Sequence, residues 1–538
     1  MERRRFLQTA LGAGAALALP GCRRLSHLGI PITVLRPGMA EGHQLRNGAP
    51  LPAPTREIRT GIVILGSGIA GLTAAWRLAK EGVDDFLLVN GPEPDGNAAG
   101  GRFDSPSGAL AYPRGAHYLP LPSPESITVR ELLAELGVIE ANPFSARPRF
   151  AETALVHAPD ERLFFDGAWR DGLLPTAHVD AYEAAQHRRF LAEMARLTHT
   201  RGRDGLRLFC VPLVHSSADP AWRALDATPF RDWLSANGFT SPSLHAYLDY
   251  VCRDEYGAGT ERISAWAGLH YFASRGGQAE NAPDGALLTW PDGLAFLARG
   301  LRRRVPATRQ MAGRALRISE TGRGVDVLGM DATGPFVIHA RKAICATPLH
   351  VAAHLVPHIR DYGFDPALHL PPQAPWLVAS FLLDGFPPEP AEQPLAWDNV
   401  IHGSRGLGWV VATHQLIRAA RPAHTVFTAY LALADRSPAE ARRWLESASA
   451  DELFELASVD LQDRYGKLEL WRRTLAIEIT VRAHGMASPV CGSLTNPGLA
   501  ALQETDGRLL FAHSDLSGYS VFEEASSWGD RAARLAAN

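Results

Sequence analysis

The sequence predicts an α/β fold with a parallel sheet, joined to a second domain of mixed α+β structure. Two observations carry this prediction. An apolar run at residues 61–65 passes directly into a glycine-rich turn and then into a helical pattern, which is the order of a βαβ unit. The chain also has 538 residues, enough for two to four domains at about 150 residues each.

The composition is that of a folded globular protein. Hydrophobic residues make up 46% and charged residues 21%, which excludes extended disorder and coiled-coil structure. The formal net charge is −3, and basic residues form no extended tract beyond the N-terminus. Because nucleic acids are held mainly by basic surfaces, we expect no nucleic-acid partner.

Residues 1–22 predict an export signal. Arg3 and Arg4 precede Phe-Leu and a short apolar stretch, which resembles a twin-arginine signal. The Leu-Pro-Gly-Cys sequence ending at Cys22 resembles a bacterial lipoprotein cleavage box. These resemblances imply a periplasmic protein, held at the membrane only by a lipid on Cys22, with the Pro-rich residues 23–57 as a tether. The alternatives are a generic secretory signal and an ordinary cysteine.

The other cysteines indicate no metal site. They are scattered along the chain, without a C-x-x-C pair or a histidine at metal-ligand spacing. Disulfides are permitted outside the cytoplasm but are not required by this spacing. The four residues are Cys210, Cys252, Cys345 and Cys491.

The glycine-rich turn has the spacing of a dinucleotide-binding motif. The first glycine permits a tight turn, the second lets a pyrophosphate approach the backbone, and the third lets helix and strand pack closely. The N-terminus of the following helix offers free N–H groups to the phosphates. We therefore expect a Rossmann-like domain that binds a dinucleotide through Gly66, Ser67, Gly68, Ile69, Ala70 and Gly71.

A second strand is predicted over residues 86–89 and ends at Asn90. An acid normally stands at this position and binds the adenosine ribose. The amide of Asn90 can still form a hydrogen bond with a ribose hydroxyl, so we expect a weaker contact there.

The next segment indicates which dinucleotide is bound. Gly100, Gly101 and Arg102 resemble the G-G-R segment of FAD-dependent amine oxidases. The resemblance implies that these residues lie beside the flavin diphosphate. Arg114 is open to two interpretations, a diphosphate contact or a surface charge.

The C-terminal residues resemble a further segment of the same superfamily. A strand and polar turn at residues 507–518 lead into a helix that begins near residue 522. The resemblance implies that Asp515 lies near the ribityl chain, that Gly518 and Glu523 contact the cofactor, and that the helix N-terminus points at the flavin ring. Glu524 departs from the family pattern, because it replaces the glycine that usually follows that acid.

A third match, at residues 287–301 and 314–346, resembles the middle block of amine oxidases, protoporphyrinogen oxidases and phytoene desaturases. Among these, exported bacterial oxidoreductases carry a motif like that of residues 115–120. The resemblance implies an FAD-binding domain of the glutathione-reductase and amine-oxidase type, with noncovalent FAD and an interleaved α+β substrate domain. We assign 58–120, 287–348 and 506–538 to the FAD-binding domain, and 121–286 and 349–505 to the substrate domain.

Three residues are candidates for the chemistry. His117 and Tyr118 follow Gly101 at a spacing that, in the resembling folds, returns the chain across the flavin. Tyr519 follows Gly518 and is a candidate wall of the substrate pocket. Packing roles remain the alternative for all three.

The two predicted substrate-domain segments and the residues beside them are rich in aromatic and histidine side chains. The sequence Trp-Asp-Asn-Val at residues 397–400 has the composition of a pocket wall, and equally of a capped turn. Further pocket candidates, each more commonly a core or surface residue, are Trp266, His270, Tyr271, Trp290, Trp376, Trp397, His414 and His484.

The lysine that many amine oxidases hold near flavin N5 has no counterpart here. The three lysines, Lys80, Lys342 and Lys467, stand at unsuitable places in the chain. The leading hypothesis is a flavin oxidoreductase acting on a small organic substrate, an amine by resemblance, with oxygen or a membrane quinone or cytochrome as electron acceptor. The alternatives are a desaturase or isomerase of a hydrophobic substrate and a flavin-binding partner protein without turnover.

Overall fold

The computed structural model describes the backbone of residues 22–25 and all of residues 29–416 and 420–538. The export signal predicted over residues 1–22 lies outside these residues, except that Cys22 begins a short strand. In the described part of the chain, no helix is long and apolar enough to cross a membrane.

The predicted α/β fold is confirmed by a seven-stranded sheet, the first of two large sheets. Five of its strands run parallel, and two antiparallel strands extend one edge. In spatial order the strands are Gln310–Met311, Phe86–Val89, Arg56–Leu65, Gly334–Cys345, Gly324–Asp331 and Arg314–Thr321, with Leu509–Phe511 paired to the end of Gly334–Cys345.

The parallel strands end together at one edge of this sheet. Leu65 pairs in register with Val89 and with Cys345, and Cys345 pairs with Phe511. Their side chains are buried, as expected of strands covered on both faces. Ligands of open parallel sheets bind beyond the carboxyl ends of the strands, so this edge is where a dinucleotide is expected.

Two helices bring the glycine turn and the C-terminal segment together. Helix Ile69–Lys80 packs against helix Phe522–Ala537. At Gly529 a Cβ would lie 2.2 Å from the backbone oxygen of Ala70, so the contact depends on the missing side chain. Buried Arg77 forms an ion pair with Asp530 across the same contact.

The second large sheet has nine strands and carries a separate apolar core. Four consecutive helices cover one of its faces: Pro438–Ser447, Ala450–Ala457, Val459–Tyr465 and Lys467–Arg473. In spatial order its strands are Cys22–Leu25, Pro31–Leu35, Thr474–Ala487, Gln373–Asp384, His424–Ala432, Trp409–Val411, Asp398–Ile401, Glu161–Phe165 and Ala168–Asp171.

A helical layer forms a third core beside the sheets. Its helices are Ala181–His199, Phe230–Ala236, Pro242–Tyr256 and Ala265–Ala273. Tyr519, from the C-terminal segment, is buried in the same core. The remaining helices are Met39–Arg46, Ile127–Glu135, Pro220–Arg223, Ala295–Arg304, Leu349–Leu355, Pro366–His369 and Pro497–Gln503.

The remaining strands form three two-stranded sheets. They pair Gly100–Ser105 with Gly108–Pro113, Tyr118–Pro120 with Leu287–Thr289, and Ile139–Ala141 with Arg149–Phe150.

The tether predicted over residues 23–57 is wrong for much of that segment. Strand Pro31–Leu35 pairs in parallel with Thr474–Ala487, and helix Met39–Arg46 contacts helix Leu349–Leu355. Ile32 and Val34 are buried in the core of the second sheet. Short strands with two or three apolar residues give little periodic signal, so proline content alone pointed to a linker.

Candidate active site

The glycine turn has the geometry that a pyrophosphate requires. Gly66 has a φ of 103°, which only glycine adopts readily. A Cβ at Gly71 would lie 1.8 Å from the backbone oxygen of Gly66, so helix and strand touch there. At Gly68, by contrast, no atom lies within 4 Å of a Cβ position, and Gly68 caps the N-terminus of helix Ile69–Lys80. The free space over Gly68 therefore faces the unpaired N–H groups of that helix.

Asn90 is joined at this site by an arginine that the sequence motifs did not reveal. Arg302 Nη1 donates to Asn90 Oδ1 at 3.2 Å, and Arg302 Nη2 donates to Ser67 Oγ at 3.3 Å and to Asp95 Oδ1 at 2.7 Å. Ser67 Oγ in turn donates to the backbone oxygen of Asn90 at 2.9 Å. A weak sequence signal existed, since Arg302 opens a run of three arginines at the end of a helix.

The G-G-R segment lies in strand Gly100–Ser105. A Cβ at Gly101 would lie 2.2 Å from the Tyr112 ring, and one at Gly100 would lie 2.9 Å from Ala295. Both glycines are therefore explained by close packing. Arg102 is exposed and has no hydrogen-bond or ion-pair partner among the described residues.

Arg114 forms an ion pair with an acid of the second sheet. Its Nε and Nη2 donate to the two carboxylate oxygens of Glu478 at 2.6 and 2.8 Å. This bidentate, partly buried pair joins the segment before the Gly-Ala-His-Tyr motif to the second sheet.

Asp515 lies at the end of the last parallel strand and is 1% exposed. Its carboxylate accepts hydrogen bonds from the backbone N–H of Leu349 at 2.9 Å and from Gln373 Nε2 at 3.2 Å. Burial opposes ionisation, but His513 and the Leu349 N–H outweigh it and hold the pKa of Asp515 below its usual range. The carboxylate thus anchors the turn, which continues through Gly518 with a φ of 74°.

One cavity brings together four of the predicted site residues, His117, Tyr118, Tyr519 and Glu523. It has a volume of about 190 Å³ and is partly open to solvent. From the predicted FAD-binding segments it is lined by Asn97, Gly115, Ala116, His117, Tyr118, Leu294, Tyr519, Ser520, Val521, Phe522 and Glu523. From the second sheet and the helical layer it is lined by Asp254, Glu255, His270, Tyr271, Arg275, Trp376, Val378, Tyr430, Arg482 and Met486, among others.

His117 and Tyr118 belong to an aromatic wall of this cavity. The His117 ring stacks on Tyr430, with 4.3 Å between ring centroids and 29° between planes. Tyr118 lies edge-on to Trp397 at 6.2 Å. Burial lowers the pKa of His117 to about 3, so the imidazole is neutral at physiological pH.

Tyr519 lines the cavity from the C-terminal segment and packs against the helical layer. It is 2% exposed and packs beside His270 and Trp266, with ring centroids 5.0 and 6.1 Å away. Its hydroxyl has no hydrogen-bond partner among the described residues. A buried hydroxyl without a partner is uncommon in folded proteins.

Two neighbouring acids have different environments. Glu523 is 6% exposed, lines the cavity and has no side-chain partner among the described residues. Burial raises its pKa to about 7. Glu524, at the position where the family pattern has glycine, instead accepts from the backbone N–H of Leu213 and from Ser517 Oγ, both at 2.5 Å. Glu524 therefore joins the C-terminal helix to the substrate-domain loop.

A half-buried ion pair that sequence reasoning missed also lines the cavity. Arg275 Nη2 donates to Glu255 Oε2 at 2.6 Å. The guanidinium lies 4.0 Å from the Tyr271 ring centroid and 5.8 Å from that of Tyr118. No local motif marks this pair, because its members come from two different segments of the helical layer.

Three of the eight further pocket candidates line the cavity, namely His270, Tyr271 and Trp376, and the other five do not. All three lysines lie in the described part of the chain, and none lines the cavity. Lys80 pairs with Glu131, Lys467 pairs with Glu455, and Lys342 donates to the backbone of Leu535.

Residues 64–136 match the family model of the NAD(P)-binding Rossmann-like domain. The sequence alone gives no match among curated proteins. A redesigned putrescine oxidase superposes over 90% of this chain and 100% of its own, with a TM-score of 0.61 and 14% identity. Cyclohexylamine oxidase from Brevibacterium oxydans IH-35A covers 89% of this chain and 99% of its own, with a TM-score of 0.59 and 16% identity.

The chain has the amine oxidase fold. A fatty acid isomerase from P. acnes that produces CLA shares it, over 88% of this chain and 97% of the isomerase, with a TM-score of 0.57 and 15% identity. The fold therefore hosts more than one chemistry. The substrate has to be argued from the side chains of the cavity.

Proposed function

We propose that the protein is an FAD-dependent oxidoreductase of the amine-oxidase type, which transfers a hydride from an organic substrate to flavin N5. The cavity carries this proposal. Gly115–Tyr118 and Tyr519–Glu523, the two segments that resemble those around a flavin ring, line one space together with residues of the second sheet and the helical layer. A flavin ring bound between these two segments would therefore contact a substrate that occupies the part of the cavity lined by the second sheet and the helical layer.

The residues at the glycine turn fit the other half of FAD. The open space over Gly68 and the helix N-terminus suit the diphosphate. The adenosine ribose could form hydrogen bonds with the connected polar side chains of Arg302, Asn90 and Ser67. Asp515 would act through the turn that it anchors rather than through a free carboxylate.

Bound FAD supplies the hydride acceptor, and the protein supplies orientation and a dry pocket. His117, Tyr118 and Tyr430 form an aromatic wall that excludes water and attracts an amine. An amine must be neutral at nitrogen before it loses a hydride from the adjacent carbon. The Glu523 carboxylate, with a pKa of about 7, can accept that proton near neutral pH.

We further propose that the FAD is noncovalent. His513 is the main candidate for covalent attachment, but its Nδ1 accepts from the Asp515 N–H at 3.1 Å and it does not line the cavity. Cys491 is exposed and does not line the cavity either. The proposal also includes three points that rest on the sequence alone. They are twin-arginine export, a lipid anchor on Cys22, and oxygen or a membrane quinone or cytochrome as the electron acceptor.

A second candidate is a flavin-dependent isomerase or desaturase of a hydrophobic substrate. The fatty acid isomerase with the same fold favours it. So does the apolar part of the cavity lining, which includes Leu119, Leu121 and Val211.

Anaerobic spectroscopy of the FAD-loaded protein distinguishes the candidates. We expect amines to bleach the visible absorbance of the bound flavin and unsaturated fatty acids to leave it unchanged. Fatty acid conversion without net bleaching would favour the isomerase instead. If FAD is bound and neither class reacts, the proposed oxidoreductase is wrong. Oxygen uptake after bleaching then separates an oxidase from a dehydrogenase.

A further inference from the structure

A loop of residues 91–97, which we call the cover loop, lies against the glycine turn. The backbone N–H of Asp95 donates to the backbone oxygen of Ser67 at 3.0 Å. A Cβ at Gly96 would lie 3.4 Å from the Cα of Gly68. A dinucleotide with its diphosphate over Gly68 would therefore have the cover loop beside it.

The backbone of the cover loop does not favour this shape by itself. Asp95 and Gly96 are consecutive residues with φ values of 70° and 56°, both in the left-handed region. That region is open to glycine but costs free energy at aspartate. The loop therefore depends on contacts with other parts of the chain.

One of these contacts comes from the same sheet region that carries the glycine turn. Arg302 Nη2 donates to Asp95 Oδ1 at 2.7 Å and also contacts Ser67. This arginine therefore fixes the middle of the cover loop to the turn.

The other side of the cover loop is held by the second sheet. Arg482, on strand Thr474–Ala487, forms an ion pair with Glu93 and donates to the backbone oxygen of Gly96 at 3.4 Å. Its Nε and Nη2 also donate to the backbone oxygen of Arg114, at 3.3 and 3.1 Å. The Arg482 side chain is 7% exposed, and among the described residues Glu93 is the only acid paired with it.

A second contact joins the same two parts of the chain. Asn97 Nδ2 donates to the backbone oxygen of Gly485 at 2.5 Å. Asn97, Gly485 and Arg482 all line the cavity. The junction between the cover loop and the second sheet therefore lies between the glycine turn and the space proposed for the flavin ring.

Opening the cover loop would separate Arg482 from Glu93. A buried guanidinium that loses its only acid is costly, because neither water nor another carboxylate replaces the lost partner. The ion pair therefore opposes any movement of the loop away from the glycine turn.

We propose that Arg482 is a positioning residue for the cofactor, which holds the cover loop closed through Glu93 and so limits the rate at which FAD dissociates. This inference rests on the FAD site of the proposed function. It goes further by assigning cofactor retention to a residue of the second sheet. Slow release suits the proposed export, because FAD is made in the cytoplasm and the folded protein would keep what it carried.

The test measures how fast FAD leaves the loaded protein. FAD-loaded protein is diluted into buffer without FAD, and the rise in flavin fluorescence gives the dissociation rate. Glu93→Gln and Arg482→Gln should each release FAD at least about tenfold faster than the wild type. The double variant should be no faster than Arg482→Gln alone, because both changes remove the same ion pair.

Glu478→Gln provides the matched control. Glu478 pairs with Arg114 and joins the same strand to the segment after the cover loop, but in the described part of the chain it forms no hydrogen bond or ion pair with the loop itself. Its variant should release FAD within about twofold of the wild-type rate. Equal acceleration by Glu478→Gln would overturn the specific role of Arg482.

A purely structural role is separated by thermal unfolding of the FAD-free protein. Glu93 is a partly exposed loop residue, so Glu93→Gln should unfold within a few degrees of the wild type while releasing FAD faster. Release at the wild-type rate from both Glu93→Gln and Arg482→Gln would overturn the proposal, whatever their unfolding temperatures. Failure of the proposed function would be seen separately, since amines would then leave the flavin unbleached while the release rates still respond to these variants.

Discussion

Replacing Gly68 with valine should abolish FAD binding while leaving the free protein folded. Gly68 has φ −68° and ψ −178°, extended values that any residue adopts. No atom lies within 4 Å of its Cβ position. Because valine is a poorer helix N-cap than glycine, the substitution should cost the free protein about 1 kcal/mol.

The effect on the cofactor should be far larger, because the valine occupies the space in which the pyrophosphate approaches the backbone. A steric conflict of about 3 kcal/mol lowers affinity more than about a hundredfold. Gly71→Ala provides the contrast. Its Cβ would lie 1.8 Å from the Gly66 backbone oxygen, so this variant should lose FAD by distorting the fold itself.

Two measurements separate these cases, the unfolding temperature of the FAD-free protein and a fluorescence titration with FAD. Gly68→Val should lose flavin and unfold within a few degrees of the wild type, whereas Gly71→Ala should lose flavin and unfold at a much lower temperature. Wild-type flavin content in purified Gly68→Val would refute the placement of the diphosphate.

The other expected outcomes concern affinity, attachment, export and pH. Asn90→Ala should weaken FAD binding by about 0.5–1.5 kcal/mol, the value of one hydrogen bond. Arg302→Ala should weaken it more, because Arg302 contacts Asn90 and Ser67 of the site as well as Asp95. Equal effects of the two variants in the FAD titration would argue against the role of Arg302. Acid precipitation should leave the flavin in the supernatant, and yellow protein in the pellet would contradict noncovalent binding. Replacing Arg3 and Arg4 by lysine should leave FAD-loaded precursor in the cytoplasm, because a dinucleotide is loaded before export of a folded protein; flavin-bound protein on the periplasmic side would contradict this. Folding raises the pKa of Asp254 from 3.8 to about 7, because the folded state disfavours the ionised carboxyl. The free energy of unfolding therefore falls as pH rises from 3.8 to about 7. Asp254→Asn should therefore raise the unfolding temperature at pH 8 more than at pH 5, and an equal shift at both would show that the carboxyl is not strained.

The dinucleotide fold was predictable because its signal is local. The strand, the glycine turn and the helix are consecutive, and the strained φ of Gly66 and the close contact at Gly71 leave no choice of residue. Asn90 was placed correctly at the end of the second strand for the same reason. The glycine motif did not predict the contact with Arg302, because Arg302 belongs to a helix more than two hundred residues further along the chain.

The substrate side of the cavity was less predictable, because tertiary structure assembles it. Arg275 and Glu255 meet only when two segments of the helical layer pack together. The pocket-wall composition around Asp398 was visible in the sequence, but its register with Glu161 was not. The wrong tether has a related cause, since the strand beginning at Pro31 is ordered by pairing with a strand near the other end of the chain.

The most direct test of the account is the position of the flavin ring in a crystal structure of the FAD-loaded protein. The account predicts the ring in the cavity between Gly115–Tyr118 and Tyr519–Glu523, with the diphosphate over Gly68. A ring bound elsewhere, or a diphosphate away from Gly68, would contradict it.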